Sequence, residues 1–184
     1  MAREKKISFS LVILLSTLVL SSCKTYIDVT EKSIRTDYMT FRYQKKYNEF
    51  DYFSKVNGVA DKEVFYKTHF TIDLPKNIVY WMMLDNKFYY EYDSKQLIYI
   101  YTSYKNQGKQ SDNWELKDMD KGAEWEYFGE YWNQRGYDEK ELNAANSNRI
   151  TKLYTNGRYE ILLYNVKEKN YNSFLGRVKS FKVK

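Results

Sequence analysis

His69 is the only histidine of the chain and Cys23 its only cysteine, which narrows the available chemistry at once. A serine or cysteine hydrolase needs an imidazole beside its nucleophile. Here that base would have to be His69, which falls on the polar side of an alternating segment. No Gly-x-Ser-x-Gly elbow accompanies it. A zinc site built from Cys and His fails by count. Asp118, Asp120, Gly122 and Glu124 follow part of a calcium-loop spacing. However, Gly122 stands where the third ligand belongs, Ala123 where the glycine belongs and Gly129 where the closing glutamate belongs. Asp118 and Asp120 are instead expected to cap the helix that follows, with Glu124 and Glu126 near its positive end. Glu126 and Glu130, one helical turn apart, satisfy the roughly 5–10 Å spacing of a glycosidase carboxylate pair. Most surface helices satisfy it too. Gly108, Gly122, Gly129, Gly136, Gly157 and Gly176 stand alone, so no phosphate-cradling loop is seen. The sequence therefore predicts no catalytic residue, no metal ligand and no cofactor.

Aromatic residues offer the remaining chemistry, since the chain holds 20 Tyr, 10 Phe and 4 Trp. Tyrosine buries a ring yet needs a partner for its hydroxyl, so it suits both half-buried sheets and contact surfaces. Tyr99 and Tyr101 share one strand face, opposite Ile98 and Ile100. Tyr127 and Tyr131 lie one turn apart, on the helix flank away from Trp125. If exposed, these four form a platform for a glycan or protein; if buried, they are core. The strand pair reads as core or half-core, and the helix pair stands between the two readings.

These side chains must be positioned by elements that the periodicity outlines. Residues 24–37 are polar and read as a tether. From Tyr38 to Phe53 two periods mix, giving a strand that leads into a short helix, before a turn at Asn57-Gly58. Val64, Tyr66, Thr68, Phe70, Ile72 and Leu74 alternate with polar neighbours, the pattern of a strand with one buried face, and Pro75 ends it. Strands follow at 78–84, 87–92 and 96–104, joined by short turns at Asp85-Asn86 and Asp93-Ser94-Lys95, so they should be antiparallel neighbours. A polar loop covers 105–113. Trp125, Phe128 and Trp132 then mark the apolar stripe of a helix that ends near Gly136. Asp138 and Glu141 suggest a capping box for a short second helix. Asn156-Gly157 between two β-rich runs predicts a hairpin with a type I′ turn. Tyr171, Phe174, Leu175 and Val178 give a last helical stripe, and 181–183 is extended.

No helix separates the strands at the centre of this order, so parallel crossovers are not expected. The fold class read from it is α+β: one domain over 38–184, a mostly antiparallel sheet with two or three helices packed on one face. Phe70-Thr71-Ile72-Asp73-Leu74-Pro75 resembles the opening strand of the PsbP/DcrB-like envelope lipoproteins. Phe174 to Phe181, with its Ser180-Phe181-Lys182 ending, resembles their closing helix. The resemblance covers fewer than 20 residues. It implies an α/β/α sandwich and no single function.

The N-terminus carries the sharpest signal. Arg3, Lys5 and Lys6 precede an uncharged run, Ile7 to Leu20, which leads into Leu20-Ser21-Ser22-Cys23. As a helix this run spans about 21 Å, short of the roughly 30 Å core of a bilayer. A basic end, a short apolar stretch and small residues before a cut form a secretory signal. The final four residues resemble the lipobox of bacterial lipoproteins. That resemblance implies cleavage between Ser22 and Cys23, removal of 1–22, and acyl chains such as palmitate on Cys23. It also implies a cell-envelope location. Lys24, not Asp, follows the cysteine, which implies an outer-membrane, periplasm-facing place if the cell has two membranes. Residues 1–22 hold three of the 30 basic and one of the 24 acidic residues, leaving a net charge of +4. So mild and mixed a charge gives no footprint for nucleic acid. The expected function is a lipid-anchored, non-catalytic envelope protein, monomeric, that binds or scaffolds an envelope protein or glycan. The alternative is a small cell-wall or glycan hydrolase using carboxylates such as Glu126 and Glu130.

Overall fold

The structure is a computed structural model that describes residues 26–30, 33–54, 68–102, 113–120, 122–138 and 148–184. Cys23 with the segment before it, the Asn57-Gly58 turn, the 64–67 start of the alternating strand, most of the 105–113 loop and the capping box at Glu141 lie outside these residues.

The fold is a single sheet-rich domain with two antiparallel sheets and two principal helices. Helix α1 (Ile27–Thr30) is a single turn. Strands β1 (Ile34–Arg35), β2 (Met39–Tyr43), β3 (Asn48–Phe53), β4 (His69–Leu74) and β11 (Lys182–Val183) form the first sheet, in the order β1-β2-β3-β4-β11. The second contains β5 (Ile78–Leu84), β6 (Lys87–Tyr92), β7 (Gln96–Thr102), β8 (Glu115–Lys117), β9 (Arg149–Thr155) and β10 (Tyr159–Lys167), in the order β5-β6-β7-β10-β9-β8. Helix α2 (Glu124–Arg135) and helix α3 (Glu168–Val178) complete it.

Period-two patterning sets both sheets. In β4, Phe70, Ile72 and Leu74 are buried while His69, Thr71 and Asp73 are not. Their rings and branches meet Phe41, Phe50 and Tyr52 from the same sheet and Phe88, Tyr90, Ile98, Ile100, Ile161 and Leu163 from the other. Phe88 sits at the centre, with ring centroids 5.4 Å from Phe70 and 4.7 Å from Tyr52 in edge-on contact. Helix α3 closes one end of this core with Phe174 and Val178. A second core lies on the far side of the second sheet, where Tyr89, Leu97, Tyr99, Leu162 and Tyr164 meet Phe128, Tyr131 and Trp132 of α2.

The layers are therefore sheet, sheet and helix. This departs from one sheet with helices on one face, and from the α/β/α order that the resemblance implies. The cause is legible in β6, β7 and β10, which are apolar on both sides and need two covers. Pro75, expected to end a strand, also marks where the chain leaves the first sheet for the second. It lacks a ladder donor, and Asn77 follows at φ 72°. The expected helix within 38–53 is instead the β2–β3 hairpin. Asn48, Phe50 and Tyr52 alternate into the core, and Tyr43, Tyr47 and Phe50 share a helical spacing by coincidence. At the β9–β10 hairpin only Gly157 has positive φ, at 83°. A type I′ turn would need two such residues, so the expected turn type is not formed. Asn156 is buried, and its Oδ1 accepts from the amides of Arg158 and Tyr159. Strand β8, unexpected from the sequence, is three exposed residues at a sheet edge behind Trp114, which stacks on Tyr154 at 4.5 Å.

The expected tether of 23–37 is in part built into the body. Asp28 has a fully covered side chain. Its Oδ2 accepts from Asn48 Nδ2 and from the Asn77 amide, both at 2.8 Å, and its Oδ1 from the Ile78 amide at 3.1 Å. Lys76 Nζ lies 3.3 Å from Oδ2 and donates to Asn48 Oδ1 at 2.9 Å. A carboxylate this deep is held only because every neighbour donates to it. Two residues earlier, the Tyr26 hydroxyl donates to Asp93 Oδ2 at 2.7 Å, and β1 pairs with β2. The polarity of this stretch, which suggested solvent, serves buried hydrogen bonds instead.

Three outcomes test this packing by denaturant unfolding. Asp28→Ala should cost about 3 kcal/mol or more, since it orphans two amides and Lys76 together. Phe70→Ala should cost about 3–5 kcal/mol. The Tyr90 hydroxyl is buried without a partner among the described residues, so Tyr90→Phe should be neutral or stabilising by about 1 kcal/mol.

Candidate functional site

Helix α2 carries four of the residues singled out by sequence. It ends as expected at Gly136, which takes the left-handed conformation at φ 62° and returns its amide to the last turn. Its facing differs. Phe128, Tyr131 and Trp132 are buried against the second sheet, whereas Trp125, expected in the apolar stripe, is 53% exposed. Trp125 and Tyr131 sit symmetrically on either side of Phe128, about 60° away on a helical wheel. What decides between them is a partner for the polar end. Tyr131 stacks on Tyr89 at 4.7 Å and donates its hydroxyl to Glu91. Trp125 instead folds over Gly129, where an added Cβ would come within 2.7 Å of its ring.

Glu91 lies on the outer face of β6, where alternation places it beside Tyr89, and it is 4% exposed. It accepts from the hydroxyls of Tyr131 and Tyr137 and from Arg135 Nε at 3.0 Å. The Arg135 guanidinium also stacks over Tyr80 at 4.2 Å. Every partner comes from α2 or just beyond it, so this cluster pins the helix to the sheet. Sequence reasoning missed it, although Glu91 amid four aromatic residues, Phe88 to Tyr90 and Tyr92, was its one signal.

The expected tyrosine platform is therefore mostly core. Tyr131 and Tyr99 are buried, and Tyr101 and Tyr127 are half-buried. Tyr99 meets Tyr127 and Phe128 edge-on at 5.6 and 5.8 Å. Burial drives the Tyr131 and Tyr99 hydroxyls far above their ordinary range. It also pushes Tyr127, which faces Glu160, and Tyr137, which bonds Glu91, up to about 12.

The other candidates are apart from one another. Glu126 and Glu130 are on the solvent side of α2, Glu130 being 3.6 Å from Lys87. His69 Nε2 is 3.1 Å from Asp51 Oδ1, and Asp51 also pairs with Lys184. Asp118 does not cap α2, because Lys152 Nζ holds it at 2.6 Å. Ala123 occupies the cap position without a side-chain bond. Among the described residues no group of three His, Cys, Asp or Glu side chains is placed to hold a metal ion.

A cavity of about 300 Å³ opens at the end of the sandwich where the Tyr26–Thr30 segment docks. The Pro75–Asn77 crossing, the β2–β3 turn, the β6–β7 turn and α3 wall it. Lys46, Lys76, Arg177, Asp93 and Gln96 contribute its polar groups, with Phe174 among its apolar ones. Gln96 is fixed: its Nε2 donates to the Asp93 carbonyl at 2.8 Å, and its Oε1 accepts from the Lys167 amide and Asn170 Nδ2. Arg177 stacks over Tyr47 at 4.9 Å and lies 3.7 Å from Asp73. No sequence signal marked this site, because its groups come from four separate stretches of chain. No family model matches the chain, no curated protein matches it, and no solved structure matches its fold.

Two measurements follow from α2. Trp125→Ala should cost less than about 1 kcal/mol, while Tyr131→Phe should cost about 1–3 kcal/mol by leaving Glu91 short of a donor. Tyr127 and Tyr137 have pKa values raised above the unfolded value near 10. Their contribution to stability is complete below pH 10 and is lost as pH rises through 12. Tyrosinate absorbance should thus rise late, together with release of α2. Full ionisation by pH 10.5 with the fold intact would contradict these contacts.

Proposed function

We propose that this chain is a lipid-anchored, non-catalytic protein of the cell envelope, serving as a binding or scaffolding module for an envelope protein or glycan. Leu20-Ser21-Ser22-Cys23 supports the anchor. The observation that carries the reading is the docking of the Tyr26–Thr30 segment. With Tyr26 bonded to Asp93 and Asp28 locked in the body, only Lys24 and Thr25 separate the anchored cysteine from folded protein. Two or more acyl chains on Cys23 anchor stably, and this spacing then holds the cavity end of the sandwich close to the bilayer. The destination is the outer membrane, facing the periplasm, in a cell with two membranes. Among the described residues no helix is long and apolar enough to cross a membrane.

Trp125 replaces the helix tyrosines as the contact candidate. It is large, more than half exposed and steadied by Gly129 and by Trp132 at 6.4 Å, and tryptophan is enriched where partners bind. The hydrolase alternative gains nothing from Glu126 and Glu130, which face solvent on a convex helix. A fatty-acid analogue should label the protein in cells, and Cys23→Ala should abolish both label and membrane retention. Normal processing and retention of that variant would refute the anchor. Crosslinking in intact cells should then recover a partner from wild type but not from Trp125→Ala.

A further inference from the structure

The end cavity is lined by groups of both charges. Arg177 and Lys46 both line it; the guanidinium Nη2 donates to the Lys46 backbone carbonyl at 3.4 Å, Nη1 lies 3.7 Å from Asp73, and Lys46 is exposed. Lys76 is not available to a ligand, since Asp28 and Asn48 hold its ammonium. The β6–β7 turn contributes a carboxylate, Asp93, which is kept in place by Tyr26 and whose backbone carbonyl is held by Gln96. Phe174 adds an apolar surface. A volume of about 300 Å³ is at the lower end for small-molecule sites and suits a head group more than a polymer. Arg and Lys recognise a phosphate by charge-assisted hydrogen bonds, and a carboxylate recognises a primary ammonium in the same way.

We propose that this cavity binds a zwitterionic phosphoethanolamine head group, the phosphate against Arg177 and Lys46 and the amine against Asp93. The ligand source is the bilayer itself, and this part rests on the anchored reading above. Three residues from Cys23 to Tyr26 reach roughly 10 Å at most, and Tyr26 bonds directly to a wall residue of the cavity. Acyl chains on Cys23 and a captured head group then give two attachments at the same end of the body. That pairing fixes its orientation on the membrane as well as its retention there.

The test is a titration of the purified full chain in detergent, followed by phosphorus NMR and calorimetry, with soluble head groups as probes. It does not depend on acylation of Cys23, so its failure and that of the anchor are separable. Glycerophosphoethanolamine should bind saturably, at least fivefold tighter than glycerophosphocholine, whose methylated amine cannot donate to Asp93, and than glycerophosphoglycerol, which lacks an amine. Arg177→Gln and Lys46→Gln should each weaken all three probes. Asp93→Asn, which keeps an acceptor for Tyr26, should erase the preference for ethanolamine alone. Circular dichroism and melting confirm the fold of each variant, and Lys46, being exposed, can be replaced without disturbing packing. Absence of saturable binding overturns the proposal. So does equal binding of inorganic phosphate, or of a neutral oligosaccharide, or affinity indifferent to Asp93. With vesicles, phosphatidylethanolamine should compete with the soluble probe; if only the soluble form binds, the source is a free phosphoethanolamine and the membrane part falls.

Discussion

The whole architecture depends on one constraint: the second sheet is apolar on both faces and cannot be left half-covered. Phe88 and Tyr90 point to one side of β6, Tyr89 to the other; β7 repeats the pattern with Ile98 and Ile100 against Leu97 and Tyr99, and β10 with Ile161 and Leu163 against Leu162. The first sheet covers one face and α2 the other. At about 25 cal/mol per Å² of apolar surface, either face left wet would cost far more than the small net stability of a domain this size. Each cover is then fixed by polar contacts. Glu91 holds the helix, and Asp28, Asn48 and Lys76 hold the corner where the chain passes from sheet to sheet.

Much of this was legible as local pattern. The strands β5, β6, β7 and β9 fall within a residue or two of their expected places because turn residues bound them, and the helices α2 and α3 carry the stripes that marked them. The described part of β4 follows its expected alternation. What did not show was which surface each element covers. The hydrophobic stripe of α2 fits two facings equally, and the choice of Tyr131 over Trp125 is made by Glu91, forty residues away in the chain. The division into two sheets was visible in principle, since segments 87–92 and 96–102 lack a polar face. Counting strands without asking what covers them gave a single sheet.

Polarity misled in a consistent way. Asp28 read as part of a polar tether and Asn156 as a turn residue, yet both are buried, and with the buried Asn48 and Gln96 each settles backbone amides or carbonyls that packing had cut off from water. A side chain that bonds to backbone far along the chain leaves no periodic trace. The end cavity has the same origin. Its groups converge because a hairpin turn, a sheet crossing and a helix share one end of the sandwich, and no window of sequence contains them together.

Strand β4 has a further effect on how the molecule comes into being. Its partner β11 lies more than a hundred residues later, and Asp28 must wait for Asn77 and Ile78 before its charge is compensated. Such distant pairings are closed against a large entropy of the intervening loop and make folding slow. Until these pairings close, the aromatic faces of β6 and β7 have nothing to cover them. The time before closure, more than the stability of the finished sandwich, is therefore the interval in which this fold is open to aggregation.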